Sequence, residues 1–313
     1  MQKVEVGLSP IQQNMLVGES NQSTPIKGIN QQSMKQKLKG YLKTPGSLIL
    51  LICVLLAALV TVSALGLLVG YILIKGIPHL SLSLFSWEYT STNVSMMPAI
   101  INTLSMTGLA LLIAVPFGIG AAIYLVEYAK KGNKLVGIIR ITAETLTGIP
   151  SIVYGLFGML FFVTTLGWGY SILAGACTVA IMVLPVVMRT TEEALLSVPN
   201  SYREGSFGLG AGRLRTVFRI VLPAAIPGIL SGVILAIGRI VGETAALMYT
   251  SGTVADVTSS LMASGRTLSV HMYALSSEGL HTDEAYATAV VLLIIVMGIN
   301  WFSGFIAKRI SRG

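Results

Sequence analysis

Apolar and polar segments alternate along the chain with a spacing that predicts six membrane-spanning helices. The apolar stretches lie at about 48–74, 100–126, 141–165, 171–189, 220–247 and 285–307. Each is long enough, or nearly so, to cross a hydrocarbon core of ~30 Å as a helix. Residues 1–47 are polar, rich in Gln, Ser, Asn and Lys, with no sustained period. They predict a cytoplasmic tail without fixed structure. The first apolar run starts late and is too long for the apolar core of a cleaved signal peptide. The expected organisation is therefore a tail, 1–47, and a transmembrane domain, 48–313.

Composition agrees with a polytopic membrane protein. Of 313 residues, 53% are hydrophobic and 11% charged, against about 25% charged in soluble domains. The net charge of +8 would suggest nucleic acid in a soluble chain. Here its distribution points elsewhere. Eighteen of the 21 Lys and Arg fall in the tail, in 130–140, in 189–219 and at the C-terminus. By the positive-inside rule these segments, and both termini, face the cytoplasm. Cys53 and Cys177 lie in apolar segments and read as small core residues rather than a disulfide framework. His79, His271 and His281 are scattered without metal-ligand spacing, so no metal site is expected.

The segment "SVPNSYREGSFGLGAGRLRTVFRIVLP" predicts a cytoplasmic elbow over about 197–219. Ser197 is suited to N-cap a short helix, with Pro199 in its first turn. Gly208, Gly210 and Gly212 end it and permit a sharp turn. Leu214, Val217, Phe218, Val221 and Leu222 then recur at helical spacing, an amphipathic entry into the fifth span. Pro223 and Pro227 mark a bend.

These residues resemble the cytoplasmic signature of permease subunits of bacterial ABC importers: E-A-A, three residues, Gly, nine residues, I-x-L-P. Here it reads Glu204-Gly205-Ser206, Gly210 and Ile220-Val221-Leu222-Pro223. Gly205 and Ser206 depart from the two alanines but are small. "GIPSIVYGLFG", "LPVVMRTTEEAL", "GRIVGETAAL" and "SVHMYALSSEG" narrow the resemblance to phosphate-importer permeases of the PstA type. The resemblance implies a type I ABC importer permease fold, all-α with six transmembrane helices, and a coupling helix at Pro199–Gly212 that docks on an ATPase. It implies two copies of a PstB-like cytoplasmic ATPase carrying ATP and Mg, a PstC-like second permease and a PstS-like phosphate-binding protein outside. The outer loop from about Thr250 to Glu284 is the expected docking surface for that last partner.

"IGRIVGETAALM" places Arg239 and Glu243 inside an apolar run, where each charge costs ~2.5–3.5 kcal/mol on insertion scales. Their spacing suggests an intrahelical pair. An i,i+4 pair returns only about 0.2–0.5 kcal/mol, and Arg before Glu is the weaker order. Neighbouring helices or a visiting ion must compensate the rest. A guanidinium makes two parallel hydrogen bonds to an oxyanion. A carboxylate could neutralise it between visits, or accept a hydrogen bond from a phosphate that still holds a proton, which sulfate lacks at neutral pH. Arg189 and Glu192 form a second expected pair, and Arg140 and Glu144 a weaker one. The resemblance implies that Arg189, Glu192, Arg239 and Glu243 are the substrate-pathway residues. Interhelical salt bridges that only orient the spans are the structural alternative for all three pairs. Gly228-x3-Gly232 and Gly238-x3-Gly242 predict close helix packing, and Gly148-Ile149-Pro150 a bend in the third span.

The chain contains no G-x4-G-K-[ST] pattern, so ATP hydrolysis is expected on a separate subunit and no cofactor on this one. Competing readings are a permease for another oxyanion, the PstC-type partner, a polytopic membrane enzyme, and a secondary transporter driven by protons through Glu243.

Overall fold

The computed structural model of the protein describes residues 45–130 and 132–310; the tail predicted for 1–47 lies almost wholly outside them. Regular structure among the described residues is entirely helical: α1 (Pro45–Gly76), α2 (Met97–Ile123), α3 (Lys134–Thr147), α4 (Ser151–Gly158), α5 (Ile172–Ser197), α6 (Asn200–Gly208), α7 (Arg213–Thr216), α8 (Leu222–Val241), α9 (Ala245–Met248), α10 (Leu268–Glu278) and α11 (Thr282–Ile310). Wider π-helical turns extend α2 (Tyr124–Tyr128) and α4 (Met159–Thr165) and join α7 to α8 (Val217–Val221).

Among the described residues, five helices are long and apolar enough to cross a membrane: Gly46–His79, Met97–Tyr128, Ile172–Ser197, Arg213–Val241 and Thr282–Ala307. The bent pair Lys134–Thr147 and Ser151–Thr165, taken as one span, makes six. The six predicted stretches are thus all present, with one correction. The third carries the expected bend: it breaks by 102° at Gly148–Pro150, where Pro150 removes a backbone donor and disfavours helical geometry at Ile149. The Tyr154 hydroxyl bridges the break, donating to the Leu146 carbonyl at 2.8 Å. The fifth does not run to Leu247. Its helix stops at Val241, and Gly242 to Thr244 separate it from the single turn of α9.

The chain divides into two compact units, Met1–Gly66 and Leu67–Gly313. The described part of the first is α1 as far as Gly66, an apolar helix whose side chains face outward. In the second, α2, α5 and α8 form the centre. Met106, Ala110 and Ala114 of α2 pack with Val179, Met182, Val183 and Val187 of α5 and with Ala236 and Ile240 of α8. Small residues permit the close approach, since lipid offers no hydrophobic drive between helices and van der Waals packing must supply it. A Cβ on Gly232 would lie 1.8 Å from Thr190 Oγ1, and one on Gly228 2.6 Å from Ala194 Cβ. The first small-x3-small pair therefore packs α8 on α5. The second meets no neighbouring helix among the described residues: nothing there but local backbone lies within 4 Å of a Cβ at Gly238 or Gly242. Around the bundle, Leu67, Leu112, Phe117 and Trp301 are each more than two-thirds exposed. Such a belt would associate in water but is solvated by lipid tails.

Candidate functional site

α2 and α5 run side by side in the same direction, so their shared ends define two ends of the molecule. At their C-terminal end lies the elbow. α6 begins after Pro199, which occupies the N-cap position. Ser197 does not cap it, in contrast to expectation; it is the last residue of α5, and its Oγ donates to the Ala194 carbonyl at 2.7 Å. Gly210 makes the turn with φ +80°, a conformation that glycine adopts without strain. Of the signature residues, Glu204, Gly205 and Gly210 are exposed, Ile220 is half-buried, and Leu222 and Pro223 open α8. Ser206 is buried, its Oγ 2.8 Å from Thr216 Oγ1. That hydrogen bond fastens α6 to α7 and accounts for a hydroxyl where the signature has alanine.

The tightest contact of the elbow was not visible in the sequence. Arg203 Nη2 donates to Glu127 Oε1 at 2.6 Å, and Nε to the same oxygen at 3.1 Å. The guanidinium also donates to the Leu195 and Val198 carbonyls, both at 2.9 Å. These carbonyls lie at the C-terminal end of α5, where helical acceptors run out of amide donors; that of Leu195 is also met by the Val198 amide at 3.4 Å. One side chain thereby ties α6 to the ends of both α5 and α2. The 76-residue separation of Arg203 and Glu127 left no local signal; an acidic residue closing one span and a basic one inside the elbow were the only hints.

Above the elbow, α3 and α5 enclose a cavity of about 320 Å³ lined by charge. The expected pairs within each helix are replaced by pairs between helices. Arg140 Nη2 meets Glu192 Oε1 at 2.5 Å, and Arg189 Nη1 lies 3.6 Å from Glu144 Oε1. Arg189 Nε also reaches Glu193 Oε1 at 3.4 Å. Glu193 was not singled out in advance, although its i,i+4 spacing from Arg189 is the signal that finds it. The Arg189 and Glu144 side chains are more than half exposed, so their pair contributes about 0–1 kcal/mol. Glu192 is buried and its pair is the firmer one.

Arg239 and Glu243 lie outside this cavity's lining. They do not pair with each other, because the helix that would have stacked them ends between them. Arg239 sits in the last turn of α8, half-buried, and forms no ion pair among the described residues. Glu243, 8% exposed, accepts through Oε1 from the Ala246 amide at 3.0 Å. Its carbonyl accepts from Ser269 Oγ at 2.5 Å.

At the opposite end, the segment 250–267 is not a loose loop but a fitted plug. Ser171, Ile172 and Leu173, which start α5, donate their amides to the carbonyls of Thr250, Ala263 and Leu261 at 2.9–3.1 Å. Asn102 near the start of α2 donates to the Asp256 and Arg266 carbonyls at 2.9 and 3.3 Å. Its Oδ1 accepts from the Thr258 amide and hydroxyl at 3.2 and 3.1 Å. Behind the plug, His271 is fully buried, and burial together with the nearby Arg266 charge lowers its pKa to about 3. It is neutral at any physiological pH.

Residues 114–313 match the family of binding-protein-dependent transport system inner membrane components. The chain is 36% identical over 284 residues to the probable ABC transporter permease protein YqgI of Bacillus subtilis, covering 82% of this chain and 94% of that one. It is 37% identical over 223 residues to the phosphate transport system permease protein PstA 1 of Mycobacterium tuberculosis, covering 68% and 71%. It is 33% identical over 237 residues to PstA of Haemophilus influenzae, covering 73% and 82%. In fold it resembles a chain of the bacterial alginate ABC transporter, with TM-score 0.59, 19% identity and coverage of 82% and 95%. It also resembles a chain of the inward-facing MetNI methionine ABC transporter, with TM-score 0.53, 21% identity and coverage of 67% and 93%.

Proposed function

Since the chain belongs to the family of binding-protein-dependent transport system inner membrane components, we propose that it is a permease subunit of an ATP-driven importer of inorganic phosphate. The observation that carries the substrate is Arg239: a charged guanidinium held in a span, released from Glu243 by the break at Gly242, and without a carboxylate partner among the described residues. Such a group compensates its desolvation when an oxyanion takes its two parallel N–H edges. The names of the PstA relatives support phosphate as that oxyanion.

The charged cavity of Arg140, Glu144, Arg189 and Glu192 is the next station on the elbow side. Its cross-helix pairs exchange partners as the ion passes, so no charge is left bare. Glu243 selects hydrogen phosphate over sulfate through Oε2, since the hydrogen bond to Ala246 engages Oε1. The elbow, with Glu204 and Gly205 exposed, docks on one of two ATPase subunits that carry ATP and Mg. A second permease, PstC-like, completes the pathway, and a PstS-like protein delivers phosphate to the plug end. Both termini face the cytoplasm, consistent with the excess of Lys and Arg at the elbow end. ATP binding closes the ATPases, moves the paired elbows and opens the pathway outward; hydrolysis returns it.

Uptake of radiolabelled phosphate at low external concentration tests this reading. Cells lacking the chain lose uptake, the restored chain recovers it, and Arg239→Gln lowers it by at least about tenfold, equivalent to ~1.4 kcal/mol. Arg239→Gln still co-purifies with its ATPase. Normal phosphate uptake without this chain, in cells with no second importer, overturns the substrate. Sulfate uptake equal to that of phosphate overturns the role of Glu243.

A further inference from the structure

A second unpaired arginine lies at the plug end. Arg266 is 5% exposed, and its Nε and Nη2 are buried with no hydrogen-bond partner. It forms no ion pair among the described residues. Its only compensation there is the Tyr89 ring, with the guanidinium carbon 4.5 Å from the centroid. A cation–π contact of this kind is worth about 2 kcal/mol when desolvated, while an uncompensated buried charge costs several. The backbone does not allow the side chain to escape. The Arg266 amide donates to the Val254 carbonyl at 2.9 Å, and its carbonyl accepts from Asn102 Nδ2 at 3.3 Å. The neighbouring Gly265 amide donates to the Ser251 carbonyl at 3.2 Å. Arg266 is therefore held in place at a cost, and it lines an open cavity of about 230 Å³. Thr253 contributes a hydroxyl to that cavity and Glu278 a carboxylate. The buried His271 beside it is neutral and brings no competing charge, and Tyr273 adds a phenol ring to the lining.

We infer that this cavity is an outer receiving site for a tetrahedral oxyanion, distinct from Arg239. The Arg266 guanidinium is the recognising group, Thr253 Oγ1 adds a donor, and Glu278 accepts from a protonated oxygen. The same guanidinium-plus-carboxylate chemistry is invoked for Arg239 and Glu243, so the inference rests on the phosphate reading and deepens it. The two arginines are also mechanically close. Ser269, three residues after Arg266, donates to the Glu243 carbonyl at 2.5 Å, so occupancy of the outer site bears directly on the break that frees Arg239. An ion released at the plug end meets Arg266 first and Arg239 second.

The thermal transition of the purified intact transporter complex, with and without inorganic phosphate, tests the site. Phosphate is expected to raise the parent's transition by at least about 2 °C, as a ligand that binds only the folded state must. The rise persists in Arg239→Gln and is lost in Arg266→Met. Without phosphate, Arg266→Met starts at or above the parent, because a buried unpaired charge has been replaced by an apolar side chain of similar reach. A phosphate-induced rise in Arg266→Met equal to the parent's overturns the site. So does a lower starting transition, which means that Arg266 is already paired by a partner subunit. A parent that transports phosphate normally but shows no rise overturns the outer site and leaves the function standing. A parent that neither transports phosphate nor responds to it overturns both.

Discussion

Arg203 shows how much one buried ion pair can join. Its guanidinium serves Glu127 and two carbonyls at the end of α5, so its loss would strip a buried acid of its counter-charge and remove a donor from both carbonyls. Removing one partner of a buried pair typically costs about 3–5 kcal/mol, and Arg203→Ala is expected to fall in that range. Denaturation of the purified complex should show it. ATPase activity should persist while phosphate uptake falls, because the elbow is no longer tied to the spans it moves. If Arg203→Ala transports normally, the clamp is only structural. At this scale the sequence was least informative. Residue types and their sites were legible: Arg140, Glu144, Arg189 and Glu192 were singled out, and the structure gathers them round one cavity. Their partners were not legible, because pairing depends on how α3 faces α5, and helical spacing within one element says nothing about that. Arg266 passed unnoticed for a related reason. It looked like one more loop arginine, and only the fitted backbone around it reveals burial.

Elements were more legible. Continuous hydropathy marks a span without any knowledge of its neighbours, and all six stretches appear. The break at Gly148–Pro150 could be read because proline acts locally. The break at Gly242 could not: apolar character continues to Leu247, and beyond the helix end Glu243 accepts locally from the Ala246 amide and, through its carbonyl, from Ser269, the second a tertiary contact. The packing of α8 on α5 provides the test at this scale. A Cβ at Gly232 has no space beside Thr190, while one at Gly238 meets nothing. Gly232→Val is expected to destabilise the complex by at least about 1–3 kcal/mol through overpacking. Gly238→Val should leave the fold of this chain intact, so any loss of assembly it causes locates a partner subunit on that face. Thermal denaturation and co-purification of the complex separate the two effects. Equal stability of both variants would refute the packing.

At the largest scale, α2 carries a different device at each end. α2 is continuous from Asn102, which holds the plug, to the π-helical turn containing Glu127, which holds the elbow. Displacement of the elbow is therefore transmitted along α2 with little loss, since close-packed helices shift as units rather than compress. Asn102→Ala removes four hydrogen bonds from the plug while leaving the elbow untouched. It is expected to increase protease cleavage within 250–266 and to abolish phosphate uptake without loss of the ATPase. Protection equal to the parent's would show that the plug stands without it.

The π-helical turn at Val217–Val221 has one further consequence. It places an additional residue between the elbow and α8, directly before Pro223. One residue of an α-helix corresponds to about 100° of rotation. The turn thus sets the angular phase between the exposed elbow residues Glu204 and Gly205 and the face of α8 that carries Arg239. Without that residue the two would stay linked, but their relative orientation would be turned by about 100°.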